Sequence, residues 1–568
     1  MRFRFSADEI PETAASVSAL GITWVFVYIL GLGSFPLLSW DEGIYAYIAE
    51  HGVRHGQWIV PTGLWHGRVG PFLQKPPLGF WIQEATIIGF DHSIVAVRLP
   101  SAIGVLGIAI ATYGFVRTEW DEVTGILAGF CFLITPHVFA GQNAGRSAAI
   151  DIPFVFFGTL FVYLSWRALH GQERLLLPAS VAISLAILTK GFAAGIYAVI
   201  LLPVVLLHWR QLSNRTTVYG LLISFICIVP WPVYMYVKFG QEFLQQIFFS
   251  QVLGRVSDAG YTAQNGIFEF MNYPYFKLLP IALDPFIYIL PQAVLLGLYR
   301  RYQQGQHSLK FYFLVWWATS VPLFFALTGN HDHYLLPMYP ATAVLSACLL
   351  KRALGGDYLA YGSLILGVIG ISLFSYRVPG FIISMVDIGF EVRELETIVL
   401  GGTVPSGIGY LAAIAGSIVG VLLIAHIDVT RSMISKYGIQ KQRLLGVVFL
   451  LLILPGLAAP TPVVSPGAGP DAQWDSQQKL HALALNDRAD RDHEVTLQQN
   501  LTQTEPLYPF AFYAEPDITV ATPAEIQSQY ALIITSDRSE LTRPYQIQLQ
   551  TTNRNHANLT LVRFTDQP

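Results

Sequence analysis

The sequence predicts an α-helical polytopic membrane protein that carries a small α/β domain at its C-terminal end. Of the 568 residues, 53% are hydrophobic and only 12% are charged, and the mean hydropathy is +0.48. Typical soluble domains carry about 25% charged residues. Apolar runs long enough for membrane helices recur over most of the chain, whereas the sequence from Gln473 onward is polar and contains short β-rich runs.

We predict about thirteen transmembrane helices within a membrane domain that covers residues 1–460. Two of the spans, 179–189 and 191–207, are short, and hydropathy alone allows them to form one long tilted helix. Lys and Arg clusters recur in alternate short loops, which the positive-inside rule places in the cytoplasm. This alternation requires a turn at Lys190 on the outer face, with the N-terminus inside and the C-terminus outside. The spans are 16–36, 96–116, 123–140, 152–169, 179–189, 191–207, 217–237, 279–298, 311–327, 337–352, 358–376, 403–424 and 444–460.

The stretch between the first two spans, Trp40–Trp81, is too polar to lie in lipid. It opens with two carboxylates, continues as an amphipathic pattern, and ends before a second amphipathic segment at Leu78–Phe90. We therefore predict juxtamembrane helices on the outer face within residues 41–90. The predicted orientation gathers most unusual polar loops on this face, as a single site at the water interface would require. The other outer segments are 141–151, Lys190, 238–278, 329–334 and 376–403.

A Pro/Gly-rich linker follows Pro460, and residues 461–568 are predicted to form a soluble extracytoplasmic α/β domain. Helical periodicity at 476–485 and β-rich runs at 518–521, 530–536 and 559–564 support this interpretation. The formal net charge of −3 argues against a nucleic-acid partner. All three cysteines fall inside apolar spans, so they form neither a disulfide framework nor a metal cluster.

Asp41 and Glu42 stand at the point where the first membrane helix ends. One of these carboxylates is a candidate general base, which would remove a proton from an attacking hydroxyl. The alternative is a pair of solvated helix-end carboxylates, with Glu42 capping the following helix. Lys75 precedes Pro76-Pro77, which stiffen the backbone and fix where the ammonium points. This argues against a lysine that merely snorkels at the membrane surface.

Further candidates lie in the other outer loops. Arg146 and Asp151 are five residues apart, which suggests either a weak loop ion pair or a second carboxylate with a nearby cation. Lys190 lies at membrane depth, where ionisable groups are costly and usually functional. His331 and His333 are spaced so that a strand would point them to opposite sides, which disfavours a metal site.

Seven motifs resemble the GT-C membrane glycosyltransferases that use polyprenyl-phosphate sugars as donors. The nearest branches are the lipid A aminoarabinose transferases and the bacterial relatives of protein O-mannosyltransferases. The motifs occur in order over residues 40–345, on the side predicted to be outside. They are WDEGIYAYIAE (40–50), QKPPLGFW (74–81), RLPSAIGVL (98–106), GRSAAIDIP (145–153), LTKG (188–191), GRV (254–256) and HYLLPMYPATAVL (333–345).

The resemblance implies roles for residues at the matching positions. Asp41 matches the leading candidate for the catalytic base, and Asp151 matches a second acid important for activity. Donor-phosphate contacts are implied at Lys75, Arg255, Tyr334 and, on a weaker match, Lys190. The substrate-binding residues that we predict are Glu42, Tyr45 and Arg146.

The sequence departs from the aminoarabinose branch at two positions. Gln74 stands where that branch usually has a glutamate, and Ser250 lies near the position of a histidine. Those two family residues are associated with a bound metal. We therefore predict no metal site and no fixed cofactor, although a divalent ion remains possible. The aminoarabinose substrate is not assigned.

Together these features predict an integral-membrane glycosyltransferase of the bacterial inner membrane. It would transfer a sugar from an undecaprenyl-phosphate-like donor to a cell-envelope acceptor (lipid A, a glycan or a protein) on the periplasmic face, with inversion. One alternative is a lipid-linked sugar flippase or transporter, which would more often show repeats and midplane charges. The other alternative is a non-catalytic envelope assembly protein.

Overall fold

The structure is a computed structural model that describes two parts of the chain: a helical bundle before residue 365 and an α/β unit after residue 469. The described residues are 9–34, 36–38, 41–65, 68–140, 143–254, 283, 286, 289–304, 308–328, 331–357, 359–360, 362–364, 470–489, 494–498, 507–514, 516–551 and 558–565. Arg255 and the predicted spans 403–424 and 444–460 lie outside the described residues, as does most of the predicted span 358–376.

The bundle consists of helices whose apolar faces pack against one another. In chain order they are α1 (Glu9–Trp24), α2 (Asp41–His55), α3 (Leu78–Phe90), α4 (Ile94–Glu119), α5 (Glu122–Leu133), α6 (Pro136–Ala140), α7 (Asp151–Leu169), α8 (Leu176–Lys190), α9 (Gly195–His208), α10 (Arg215–Ile228), α11 (Pro230–Phe239), α12 (Gln241–Leu244), α13 (Leu290–Gln304), α14 (Leu309–Thr328) and α15 (Tyr339–Leu354). Short π- and 3-10-helical segments lie at Val25–Ile29, Glu173–Leu175, Gly191–Ala194, Trp209–Leu212, Gln245–Gly254 and Asp332–Met338.

Five helical stretches in the described part are long and apolar enough to cross a membrane: Ile94–Glu119, Asp151–Leu169, Glu173–Leu212, Arg215–Phe239 and His333–Leu354. Shorter apolar helices lie at Thr13–Ile29, Glu122–Leu133 and Leu309–Phe325. These helices agree with a multi-pass membrane protein. The number of thirteen spans stays a prediction.

The stretch Glu173–Leu212 contains a reversal of the chain. Lys190, at the end of α8, pairs with Asp151 at the start of α7. His208, at the end of α9, lies beside His170 just after α7, with 4.9 Å between ring centroids. Gly191 has a φ of +63°, which glycine adopts without the steric penalty of a side chain. Segments α8 and α9 therefore run in opposite directions, with the turn at Lys190 that the alternating basic loops predict.

The bundle has two chemically different ends. We call the first the α2 end; it contains the starts of α2, α7 and α15 and the end of α8. The other is the basic end, where half-exposed ion pairs cross between helices. There Lys310 lies 2.6 Å from Glu119, and Lys351 lies 3.2 Å from Asp121. Other cations at this end are Arg117, Arg300, Arg301 and Arg352.

A juxtamembrane layer covers the α2 end. It contains α2, a two-stranded antiparallel hairpin of β1 (Thr62–Trp65) and β2 (Arg68–Pro71), and α3. The two helices lie where the amphipathic patterns predict them, whereas the hairpin was not predicted. Helix α3 begins directly after Pro76-Pro77, because the fixed φ of proline is suited to the start of a helix.

The residues after Pro470 form a mixed α/β unit. Helices α16 (Pro470–Asn486) and α17 (Tyr508–Tyr513) accompany a five-stranded sheet of order β4-β3-β5-β7-β6. Its strands are β3 (Glu494–Gln498), β4 (Asp517–Ala521), β5 (Tyr530–Ile534), β6 (Tyr545–Gln550) and β7 (Leu559–Phe564). Strand β3 pairs in parallel with β4 and β5, and the remaining pairs are antiparallel. The domain boundary at 461 stays a prediction.

This α/β unit packs directly on α2. Tyr47 of α2 and Leu64 of β1 belong to the same apolar cluster as Leu497 and Phe510 of the unit. The backbone N–H of Leu37 donates to the Tyr513 hydroxyl at 3.0 Å. The helix that begins at Asp41 is therefore held between the membrane bundle and the soluble unit.

Candidate active site

Asp41, the first residue of α2, is half-buried and is oriented by one side chain. The amide nitrogen of Asn143 donates to Asp41 Oδ2 at 2.8 Å. Asn143 is buried and has a φ of +56°, a left-handed conformation that asparagine tolerates better than most residues. Its own Oδ1 is buried without a hydrogen-bond partner among the described residues. Sequence analysis missed Asn143, although its place in an outer loop was a usable signal.

Glu42 has a different environment from Asp41. Its Oε1 accepts from Arg98 Nε and from the Ala148 N–H, both at 2.8 Å. Its Oε2 accepts from the Leu38 N–H at 2.8 Å and from Arg98 Nη2 at 3.1 Å. The carboxylate is thus buried with both oxygens engaged. Each oxygen already accepts two hydrogen bonds, which favours a structural role. The substrate contact of Glu42 stays a prediction.

Arg98 completes this buried clamp. Its guanidinium is fully buried and also donates to the carbonyls of Leu32 and Pro36 at 2.9 Å each. The clamp therefore joins α4 and the start of α2 to the segment that follows the first helix. A buried ion pair of this kind is tolerated only when hydrogen bonds satisfy the remaining donors and acceptors. Arg98 lies in a quoted motif, but its role was not predicted.

Arg146 also connects backbone segments next to the candidate site. Its Nη1 donates to the Val27 carbonyl at 3.0 Å, and its Nη2 donates to the carbonyls of Leu30 and Gly31 at 3.1 and 2.9 Å. These carbonyls lie at and just after the end of the first helical segment, and that of Gly31 also accepts from the Ser34 N–H and hydroxyl. Arg146 thus has a structural role, and its contact with substrate stays a prediction. The suggested loop pair with Asp151 is wrong, because Asp151 pairs with Lys190.

Asp151 and Lys190 form a buried ion pair at the α2 end of the bundle. Asp151 Oδ2 is buried without a hydrogen-bond partner in the part of the chain that the structure describes. His333 Nε2 lies 3.9 Å from Asp151 Oδ1, and Lys190 Nζ lies 5.2 Å from the ring centroid of Tyr334. The structure thus brings together three predicted site residues from three distant segments. The structure also places His333 in this group. From the sequence, the spacing of His331 and His333 had served only as an argument against a metal site.

Lys75 is held in the connection between β2 and α3. Its Nζ donates to Gln251 Oε1 at 2.8 Å, and Gln251 Nε2 donates to Gln74 Oε1 at 3.2 Å. The next residue, Pro76, packs beside Gly191, so the Lys75 segment adjoins the turn that follows Lys190. The lysine is buried and fixed, as the two prolines after it predict.

An apolar cluster links the elements that carry these polar groups. Tyr45 of α2 makes edge contacts with Phe72 and Phe80, with ring centroids 6.5 and 5.8 Å apart. The same cluster contains Ile150, the residue before Asp151. Tyr45 is therefore buried between the segments of Asp41, Lys75 and Asp151. All three charged residues belong to one layer at the α2 end of the bundle.

The residues at the expected metal positions do not fit zinc. Gln74 accepts from Gln251, and the exposed Ser250 hydroxyl donates to the Gln245 carbonyl at 2.9 Å. Neither an amide nor a hydroxyl belongs to the usual zinc ligands, which are cysteine, histidine and carboxylate. No group of three or more His, Cys, Asp or Glu residues close enough to hold a metal occurs within the described ranges.

Glu84 is an ionisable group of the layer that the sequence analysis passed over. It lies on α3, is buried, and its Oε2 has no hydrogen-bond partner in the described part. Its carboxyl group packs directly against Gly52 of α2. Burial raises the pKa of Glu84 from 4.5 to about 8, because the charged form loses its hydration.

We expect Glu84→Gln to be increasingly more stable than the wild type as pH rises from 4.5 towards 8. Since the folded-state pKa is raised, the folded protein holds a proton that the unfolded chain releases above 4.5. The wild type should therefore lose stability as pH rises from 4.5 towards 8, by on the order of a few kcal/mol. The stability of the Glu84→Gln variant should not fall over this pH range. Melting temperatures of both proteins, measured on either side of this range, check the expectation. Parallel pH profiles would contradict it.

The sequence is similar to a known protein family and to several named proteins. The sequence profile of the family described as dolichyl-phosphate-mannose-protein mannosyltransferase matches residues 74–234. A Proteus mirabilis protein named undecaprenyl phosphate-alpha-4-amino-4-deoxy-L-arabinose arabinosyl transferase 2 is 28% identical over 341 residues, 58% of each chain. An uncharacterized Aquifex aeolicus protein is 26% identical over 370 residues, 64% of this chain and 80% of the relative. The match thus spans less than two thirds of the named transferase.

The fold is shared over a much longer stretch. The crystal structure of ArnT from Cupriavidus metallidurans bound to undecaprenyl phosphate superposes with a TM-score of 0.67 and covers 98% of both chains, at 15% identity. The apo structure of the same protein gives 0.65 with the same coverage. At such identity the likeness shows the fold. The chain therefore shares the fold of the ArnT structures, and over residues 74–234 its sequence is similar to the mannosyltransferase family.

Proposed function

We propose that the protein transfers a sugar from a polyprenyl-phosphate donor to a cell-envelope acceptor at the outer face of a bacterial inner membrane. The observation that carries this proposal is the single layer at the α2 end that contains Asp41, Lys75 and the Asp151–Lys190 pair. The related proteins support it, because they are named as arabinosyl transferases that use undecaprenyl phosphate sugars. The related ArnT structure contains undecaprenyl phosphate.

The donor phosphate would lie near Lys75. A polyprenyl-phosphate sugar keeps its tail in lipid and its phosphate at the interface, where Lys75 is buried and held by Gln251. Cleavage of the sugar–phosphate bond leaves an additional negative charge on the leaving phosphate, and fixed cations stabilise that charge as it develops. Tyr334 and Lys190 would complete this side of the site. The implied contribution of Arg255 rests on the resemblance alone.

The acceptor would be activated by Asp41. Its carboxylate takes the proton from the acceptor oxygen while that oxygen bonds to the anomeric carbon and the bond to the donor phosphate breaks. One displacement inverts the anomeric configuration. Asn143 holds Oδ2 of the base, and no other donor in the described part of the chain reaches this carboxylate. We assign Asp151 to positioning the acceptor, because Lys190 pairs with it and its buried Oδ2 accepts no hydrogen bond from any described residue.

No step is assigned to a metal ion, since Gln74 and Ser250 do not offer zinc ligands. The acceptor is a lipid A, glycan or protein group, and the α/β unit on α2 is placed to contact it.

Consumption of a radiolabelled undecaprenyl-phosphate sugar by the purified full chain in proteoliposomes tests the proposed function. Release of unlabelled undecaprenyl phosphate together with a labelled acceptor from envelope extract is the expected result. A flippase would move the intact donor across the bilayer without cleaving it. An assembly protein would leave it unchanged, so either outcome would overturn the proposal.

Replacing Lys75 with alanine is expected to weaken donor binding by about tenfold or more. The variant loses a buried, charge-assisted contact to the phosphate. Binding of undecaprenyl phosphate to the purified protein measures the loss. Lys238→Ala is the matched control, because Lys238 is exposed at the end of α11 and lies outside the site residues. Equal affinities for the two variants would refute the phosphate contact.

A further inference from the structure

A second polar cavity lies at the basic end, far from the proposed active site. It has a volume of about 140 Å³ and opens between α5, α13, α14 and α15. Leucines 296, 314 and 345 line its interior, and Arg301, Lys351 and Arg352 line the same cavity. We call it the basic cavity. Nothing in the proposed transfer reaction uses these residues.

The charges of the basic cavity are not balanced. Its lining contains three cations, Arg301, Lys351 and Arg352, and one carboxylate, Asp121. Asp121 is already engaged: Oδ1 lies 3.2 Å from Lys351 Nζ and accepts from the Thr124 N–H at 3.0 Å. Two arginines therefore share the cavity without a carboxylate of their own among the described residues.

Each of the two arginines has donors available. Arg301 uses Nη1 for the Gly297 carbonyl at 2.9 Å and places its guanidinium 3.9 Å from the Phe311 ring centroid. Its Nε is buried without a partner in the described part. The side chain of Arg352 makes no hydrogen bond or ion pair that joins it to a described residue. Burial, followed by the charge of Arg352, lowers the pKa of Arg301.

The surroundings of the cavity resemble a membrane interface. Tyr302 is almost fully exposed on α13, and Tyr312 and Leu354 are also exposed nearby. Aromatic side chains are enriched at the boundary between lipid and water. Cations above an apolar interior match an amphiphile with an anionic head and an apolar tail. A small soluble anion would gain nothing from the leucines.

We propose that the basic cavity binds the phosphate head of an anionic membrane lipid, with the start of its acyl chain against the leucines. Basic pockets between transmembrane helices are known sites for anionic headgroups on the cytoplasmic side. The two guanidinium groups would each donate to phosphate oxygens. The proposal depends on the membrane character of the chain and not on the proposed sugar transfer.

The test compares variants of equal net charge. Arg301→Gln/Arg352→Gln removes the two unbalanced cations, and Arg174→Gln/Arg215→Gln removes two exposed cations at the same end. Purified full-length proteins in detergent are titrated with phosphatidylglycerol, phosphatidylcholine or inorganic phosphate, and melting temperature is recorded. A ligand that binds only the folded state raises this temperature increasingly as its concentration exceeds its Kd.

We expect phosphatidylglycerol to stabilise the wild type and the Arg174/Arg215 control, and to bind the Arg301/Arg352 variant about tenfold more weakly. Phosphatidylcholine should have little effect on any of them. Equal stabilisation of both variants would overturn the proposed site, and equal stabilisation by inorganic phosphate would overturn the assignment to a lipid. If the double variant does not fold, Arg352→Gln alone serves, because it breaks no side-chain hydrogen bond or ion pair with a described residue and leaves Arg301 in place.

Discussion

Asp41→Asn is expected to abolish sugar transfer while donor binding persists. The amide that replaces the carboxylate accepts no proton near neutral pH, so the acceptor oxygen would have to attack while still protonated. General-base catalysis contributes about 10²–10⁴-fold to the rate, and we expect a loss of this size in kcat. The hydrogen bond from Asn143 remains possible, because the variant keeps a carbonyl oxygen at this position.

Transfer of labelled sugar and binding of undecaprenyl phosphate should be measured on the same preparations. Asp91→Asn is the matched control, since Asp91 is an exposed aspartate at the end of α3 in the same layer. Its φ of 60° is compatible with asparagine. A near-native transfer rate for Asp41→Asn would remove Asp41 from the role of base. Loss of both binding and transfer would show that its role is in the donor site.

Arg98→Ala is expected to lower the free energy of unfolding by about 3–5 kcal/mol. It removes the guanidinium that Glu42 contacts through both carboxylate oxygens and leaves that carboxylate buried without its counter-charge. The carbonyls of Leu32 and Pro36 lose donors as well. Thermal unfolding in detergent, together with the yield of folded protein, measures the effect.

Lys310→Ala provides the comparison, because it removes a half-exposed ion pair with Glu119 at the basic end. Exposed pairs contribute about 0–1 kcal/mol, so the two variants should differ clearly. The combined change Glu42→Gln/Arg98→Met should be less harmful than the sum of its single changes, since it leaves no isolated charge. If Arg98→Ala melted like Lys310→Ala, the buried clamp would have no special importance for stability.

The sequence predicts the lengths of helices and the positions of turns more directly than it predicts which side chains contact each other. Apolar runs and proline positions predict the helices, and the alternation of basic loops predicts the reversal at Lys190. The sequence did not predict that Asp41 and Glu42 have different hydrogen-bond partners. Neighbours on a helix point about 100° apart, so one carboxylate faces Asn143 and the other faces Arg98.

Partners far apart in sequence explain the remaining differences. Arg146 lies five residues from Asp151, yet it caps a helix end at Val27, a position 119 residues away in the chain. Asp151 instead meets Lys190, 39 residues further on. The short spacing in sequence suggested a pair between Arg146 and Asp151, because spacing alone does not show how helices pack. The alternation of basic loops predicted that the segments of Asp151, Lys190 and Tyr334 lie on one face, and the family resemblance added the expectation that these residues share a site.

Helix α2 has 15 residues and is about 22 Å long, and it connects Asp41 with the surface that contacts the α/β unit. The carboxylate of Asp41 is at its first residue, and the α/β unit packs on its flank through Tyr47. The proposed base and the surface that contacts the α/β unit therefore share one helix. We expect that an acceptor which displaced the unit would also displace the carboxylate that we propose as the proton acceptor.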